Sequence, residues 1–140
     1  MRNLRFMMLV FCSSITCASA GAAKYSWVAS ANTTTVSVDE LAGGLTNGIT
    51  ESCVQAYPMT KYGFYVIGTD YLSPNDGMYV YSATVTVTKK GSQGDVPPVD
   101  SFSISGYRQG SPPAAERRQM LVRAATVAAS ELCRRLSSKR

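Results

Sequence analysis

The chain has 140 residues, with 14 lysine and arginine residues against 9 acidic ones and no histidine. Its length fits a single domain. The absence of histidine excludes Ser-His-Asp and Cys-His catalysis, and it excludes zinc sites that contain histidine. The charge balance is ordinary for a protein that does not bind nucleic acid.

The first twenty residues have the pattern of a cleavable secretory signal. Arg2 and Arg5 precede an apolar run over residues 6–11, and the small residues Ala18 and Ala20 follow it. A signal peptidase accepts only short side chains at such positions. We therefore expect residues 1–20 to be removed and residues 21–140 to form one exported domain. The periplasm of a Gram-negative cell is the expected compartment, and secretion is the alternative.

Two other interpretations of this segment are less favoured. A membrane anchor needs about 20 apolar residues, and Ser13 and Ser14 interrupt this run at roughly half that length. A lipoprotein would carry its acyl chain on Cys17 or Cys12. Cys17 lacks the expected leucine and small residues before it, and Cys12 lies too deep in the apolar run. No later segment predicts a stable membrane span.

The first half of the mature chain predicts strand, helix and strand. Residues 25–31 alternate with a period of two, which indicates a strand. Ser37 and Glu40 form a predicted capping box at the start of a helix over residues 38–56, whose apolar residues recur every three or four positions. Residues 62–72 are rich in aromatic and β-branched side chains, as a central strand would be. Three glycines weaken the predicted helix: Gly43, Gly44 and Gly48.

The second half predicts two strands and a long helix. Residues 78–88 alternate strictly, residues 89–101 are polar and predict a loop, and residues 102–106 alternate again. A helix over residues 113–136 follows, opened by proline in its first turn. The predicted fold is α+β, with a small antiparallel sheet of three or four strands and two helices packed on one face. The predicted order is β-α-β-β-β-α.

Cys53 and Cys133 are the cysteines of the predicted mature domain, and each lies at the edge of its helix's apolar face. A disulfide between them would join the two helices. It would close a loop of 80 residues, which in the entropic model removes roughly 4–5 kcal/mol of freedom from the unfolded chain. A nucleophilic or metal-binding pair would require free thiolates in an oxidising compartment, so the disulfide is favoured.

The sequence contains no motif for catalysis, a metal or a cofactor. The acidic residues lie at the predicted helix start or beside turns, where local backbone bonds explain them. The glycines of residues 43–48 lack the lysine of a phosphate-binding loop, and residues 75–77 lack the ligand spacing of a calcium loop. We therefore predict a non-enzymatic protein without cofactor or metal. The acidic residues considered are Asp39, Glu40, Asp70, Asp76, Asp95 and Asp100.

Six tyrosines cluster around the predicted central hairpin, between residues 57 and 81. They could fill the core and pair across strands, or they could form a binding surface. The face that carries Ser82, Thr84, Thr86 and Thr88 is expected opposite the helices. If a partner binds, the predicted contact residues are Tyr65, Tyr71 and Tyr79, together with the loop at residues 95–100. The pattern of its strand also makes Tyr79 a core residue.

These observations favour an exported binding or accessory protein that contacts another envelope or extracellular protein. The alternative is an envelope-associated protein whose basic C-terminal helix contacts anionic lipid or polymer. Ionic strength distinguishes the two, because salt weakens contact with an anionic surface far more than it weakens an aromatic interface.

Overall fold

The computed structural model describes residues 27–75, 77–91 and 98–138. The predicted signal segment, residues 1–20, lies outside these ranges. The α+β class predicted from the sequence is confirmed, with a four-stranded sheet and three helices in the described chain. The elements in chain order are β1 (Trp27–Asn32), α1 (Val38–Gly48), α2 (Glu51–Ala56), β2 (Tyr62–Leu72), β3 (Met78–Lys89), β4 (Asp100–Gln109) and α3 (Ala114–Ser138).

The sheet has the strand order β1-β2-β3-β4 and is mixed. Antiparallel pairing, as predicted, joins β2 to β3 and β3 to β4, with Val66 opposite Val85 and Val85 opposite Phe102. The pairing of β1 with β2 is parallel instead. The reason is the connection: α1 and α2 cross the sheet between these strands, so the chain re-enters at the end where β1 began.

All three helices contribute to a core on one face of the sheet, which confirms the predicted two-layer packing. Alternate side chains of β2, β3 and β4 point toward α1 and α3, as a period of two requires. The largest apolar side chains that fill this space are Leu41, Leu45, Phe64, Val66, Val85, Val87, Leu121, Leu132 and Leu136.

The segment predicted as one helix over residues 38–56 is two helices. The capping box is present as predicted: the Ser37 amide donates to Glu40 Oε2 at 2.8 Å, and the Glu40 amide donates to Ser37 Oγ at 3.2 Å. Ile49 and Thr50 are extended and separate α1 from α2. Both are β-branched and follow Gly48, so helix propensity is low at this point.

The glycines of α1 allow it to approach α3 closely. A Cβ atom built on Gly44 would lie 2.8 Å from the carbonyl oxygen of Val122, and one built on Gly48 would lie 2.6 Å from the Cβ of Ala129. Both positions are closed to any larger residue without movement of a helix. Gly43, in contrast, has open space where its Cβ would be.

Cys53 and Cys133 form a disulfide that joins α2 to α3, as predicted. Their Cα atoms are 5.2 Å apart, within the usual range for this bond. Both side chains are almost completely buried in the core. The covalent link therefore joins the short helix α2, in which Cys53 is the only buried residue, to α3, the longest described helix.

Candidate functional site

The side of the sheet opposite the helices forms a broad exposed surface, which we call the open face. It confirms the predicted position of Ser82, Thr84, Thr86 and Thr88 opposite the helices. The three antiparallel strands contribute in register, so that its residues form cross-strand rows. The open face consists of Tyr65, Ile67, Thr69, Tyr71, Met78, Val80, Ser82, Thr84, Thr86, Thr88, Ser101, Ser103, Ser105, Tyr107 and Gln109.

One end of the open face is aromatic and apolar. Tyr71 lies opposite Val80, and Val80 lies opposite Tyr107, so the three side chains form one row across the sheet. Tyr71 is 63% exposed and Tyr107 is 73% exposed, which is unusual for large aromatic side chains held on strands. A shallow depression of about 350 Å³ lies beside this row, and its lining residues are Met78, Val80, Ser105, Gly106 and Tyr107.

The other end of the open face mixes aromatic and hydroxyl side chains. Tyr65 is 40% exposed and lies opposite Thr86, and the exposed Ile67 follows on the same face. Thr84 and Ser103 are hydrogen-bonded to each other across β3 and β4 at 2.8 Å. This zone offers hydroxyl groups beside apolar area, and it is polar and solvent-accessible, as the rim of a protein interface is.

Two of the three predicted contact residues, Tyr65 and Tyr71, lie on the open face, and Tyr79 does not. Tyr79 is fully buried on the helix side of β3, in the same row of alternation as Tyr81 and Ala83. It is therefore withdrawn from the candidate surface. Sequence reasoning missed Tyr107, although continuing the alternation of the last strand past Ser105 places Tyr107 on the same face.

Tyr79 instead belongs to a polar cluster at the end of the sheet. Its hydroxyl donates to Asp70 Oδ2 at 2.9 Å and lies 3.3 Å from the carbonyl oxygen of Arg117. The Thr35 hydroxyl donates to the same Asp70 oxygen at 2.5 Å. Burial raises the pKa of the Tyr79 phenol, and its bond to the Asp70 carboxylate raises it further.

The Asp70 carboxylate is held ionised by this cluster. Partial burial opposes the charge, but side-chain hydrogen bonds from Thr33, Thr35 and Tyr79, with the nearby Arg117 charge, lower the pKa of Asp70 below its ordinary value. A carboxylate engaged by several hydroxyl donors is a poor general base. The cluster is therefore best explained as a structural network.

The predicted basic face of the last helix is largely engaged by other side chains. Arg118 pairs with Glu40 at 3.3 Å and Arg134 with Glu131 at 2.7 Å. The guanidinium of Arg135 lies 4.3 Å from the ring centroid of Phe102. The two ion pairs offset part of the positive charge of α3, whereas Arg135 keeps its full charge beside the neutral ring.

Other features of the described part of the chain give little indication of a function. No three histidine, cysteine, aspartate or glutamate side chains within it come together at metal-binding distance. Among the helices of the described ranges, none is long and apolar enough to cross a membrane. A groove of about 540 Å³ runs between α1 and α3, where Glu40 and Arg118 already pair across it.

Comparison with models of known protein families and with curated proteins found no match to this chain. Its function has to be inferred from the open face and the fold that presents it.

Proposed function

We propose that this protein is an exported, non-enzymatic binding protein that contacts another envelope or extracellular protein through its open face. The observation that carries the proposal is the exposure of Tyr65, Tyr71 and Tyr107 together on one sheet surface. Tyrosine combines a large flat apolar area with a hydroxyl group, and it is enriched at the centres of protein interfaces.

The rigid core behind the open face favours binding. Its side chains stand on β2, β3 and β4, which are fixed from behind by the core, so little conformational entropy is lost when a partner docks. The row of Tyr71, Val80 and Tyr107 supplies apolar anchors, and the hydroxyl pair of Thr84 and Ser103 supplies polar contacts beside them. This division resembles the core and rim of known interfaces.

Two features support export. Residues 1–20 have the pattern of a cleavable signal, and the buried disulfide between Cys53 and Cys133 suits an oxidising compartment. The ion-paired arginines of α3 lend less support to the alternative in which that helix contacts anionic lipid or polymer.

The test is capture of partners from the envelope extract of the native host. We expect Tyr71→Ala and Tyr107→Ala to reduce recovery of a specific partner by roughly tenfold or more, since aromatic anchors dominate interface energies. Both side chains are largely exposed, so the melting temperature should hardly change. Met59→Ala, an exposed apolar residue outside the open face, is the matched control and should bind normally.

Three outcomes would count against this function. Capture that is undiminished in both tyrosine variants would remove the open face as the site. An equal loss in Met59→Ala would show non-specific apolar adhesion. Release of the captured material by moderate salt alone would favour the anionic-surface alternative, because screening weakens such contacts steeply.

A further inference from the structure

Strand β4 is an edge strand with a long regular outer edge. It runs over ten residues, pairs with β3 on one side, and has no strand on its other side among the described residues. It contains neither proline nor lysine, and its two charged residues, Asp100 and Arg108, lie near its ends. Residues 101–107 therefore carry neither the proline nor the charge that commonly protects an edge from pairing with another chain. An edge of this kind is suited to accept a further strand.

We propose that two copies of this chain pair antiparallel through β4, about a twofold axis at Ile104, to form a continuous eight-stranded sheet. This inference does not rest on the proposed partner of the open face. It rests on the complementarity between β4 of one copy and β4 of a second copy in one register.

The charges of β4 select this register. A twofold axis at Ile104 places Asp100 opposite Arg108 of the second copy, and symmetry repeats the pair at the other end of the strand. Within each copy Arg108 already pairs with Glu116 of α3, so Asp100 of the second copy would be a second carboxylate beside that guanidinium. Opposite charges directly across an antiparallel pair stabilise it, and like charges destabilise it. An axis at Ser103 would put Asp100 opposite Gly106, and an axis at Ser105 would put Arg108 opposite Phe102. Only the Ile104 register pairs both charges.

The side chains between these charges also fit. The same register places Phe102 opposite Gly106 of the second copy. In each copy the Tyr81 side chain already covers Gly106, so that no Cβ could be added there. Phe102 would therefore lie alongside the Tyr81 ring. Cross-strand aromatic contacts of this kind stabilise a sheet, and an aromatic neighbour compensates for glycine in a strand.

The flank of α3 beside β4 supplies a second contact zone. A cavity of about 250 Å³ opens between them, lined in part by Ile104, Met120 and Val127, and Val127 is 38% exposed. Helix α3 packs on both β3 and β4. With strands about 4.8 Å apart, two α3 helices would lie roughly 10 Å apart across the axis, which is a normal helix packing distance. The pairing would cover these apolar side chains.

The first experiment measures the mass of the oxidised protein, purified after expression of the full chain, by light scattering across a dilution series. The proposal expects the mass of two copies and dissociation to one copy on dilution. A single-copy mass at every concentration would overturn it.

Charge reversal tests the register. Asp100→Lys places a lysine opposite Arg108 of the second copy and should weaken dimerisation by roughly tenfold or more, because the change occurs at two symmetric positions. Combining it with Arg108→Glu and Glu116→Lys restores opposite charges across the axis and keeps positions 108 and 116 oppositely charged within each copy, so this triple variant should restore the dimer. Lys61→Glu, a charge change on the turn before β2, is the control and should leave the mass unchanged. Failure of the triple variant to dimerise while it melts like the original protein would exclude this register.

A cysteine at the axis gives an independent readout. Ile104→Cys should form a disulfide-linked dimer on mild oxidation, because directly opposed residues have Cα atoms about 4.5–5.5 Å apart. Ser103→Cys should not form one, since the Cα atoms of residue 103 in the two copies lie more than about 7 Å apart in this register. Equal cross-linking of both variants would argue for random collision.

A monomeric protein that still binds through Tyr71 would reject the dimer and leave the proposed function standing.

Discussion

At Asp70 four segments of the chain meet through one carboxylate. Thr35 comes from the loop before α1, Asp70 from β2, Tyr79 from β3, and the Tyr79 hydroxyl also reaches the backbone of Arg117 on α3. A hydrogen bond to a charged group contributes about 1.5–3 kcal/mol, more than a bond between neutral groups. The residue therefore helps to connect the two layers at one end of the sheet.

Replacing Asp70 by asparagine should lower the free energy of unfolding by about 1–3 kcal/mol at neutral pH. The variant removes the negative charge to which the Thr35 and Tyr79 hydroxyls donate hydrogen bonds. The pKa of Asp70 is lowered on folding from 3.8. Its charge therefore contributes stability above that value, and the contribution is lost as the pH falls through the lowered pKa.

Denaturant unfolding at neutral pH and in strong acid measures this dependence. The original protein and Asp70→Asn should differ at neutral pH and converge in acid. Asp39→Asn, at an exposed position in α1, should show no comparable loss. A difference between Asp70→Asn and the original protein that persists unchanged in strong acid would mean that the charge is not what stabilises the cluster.

At the scale of elements, the crossing of α1 and α3 depends on two glycines that sequence reasoning regarded only as weak points of a helix. Gly44 and Gly48 lie against the backbone of α3. They allow α1 and α3 to pack closely, and this packing compensates for their low helix propensity.

Gly48→Ala should destabilise the protein by about 1–3 kcal/mol, because the added methyl group overpacks the crossing against Thr126 and Ala129. Gly43→Ala is the matched control in the same helix. It meets open space and should stabilise the protein by about 0.5–1 kcal/mol, the gain in helix propensity. Thermal unfolding of both variants measures this contrast. Equal effects in the two variants would show that helix propensity, rather than packing, governs α1.

The strands were more predictable than their pairing. Aromatic and β-branched residues predicted β2, and the alternation of apolar and polar residues predicted β3, almost to their observed bounds. The capping box located the start of α1. These signals are local. The parallel pairing of β1 and the role of Gly48 depend on contacts between distant segments, which the pattern of one segment does not contain.

The candidate site was partly predictable for the same reason. Tyr65 and Tyr71 could be predicted from their position near the central hairpin. The register that pairs Tyr65 with Thr86 and Tyr71 with Val80, and so puts them on the open face, is not contained in the pattern of either strand alone. Tyr79 follows the opposite alternation on β3, and α3 covers it. Tyr107 was missed because the predicted last strand ended at residue 106, before the pattern reached it.

At the scale of the whole molecule, the disulfide links segments that lie 80 residues apart. Replacing both cysteines by alanine should lower the free energy of unfolding by about 2–5 kcal/mol, since the unfolded chain regains the freedom of a long loop. Denaturant unfolding of the double variant measures the loss. The two single variants separate the covalent link from the packing of the sulfur atoms. An unchanged unfolding midpoint in the double variant would mean that the core alone holds α2 to α3.

The order of the cysteines also sets a sequence of events in biosynthesis. Cys133 is added 80 residues after Cys53, a delay of roughly 4–16 s at the usual rates of chain elongation. Throughout that interval Cys53 has no intramolecular partner for its final bond. The inner face of the sheet also lacks α3, which supplies Leu121, Leu132 and Leu136 to the core. Helix α3 therefore closes the core and the cross-link together, and a nascent chain halted before α3 would have neither.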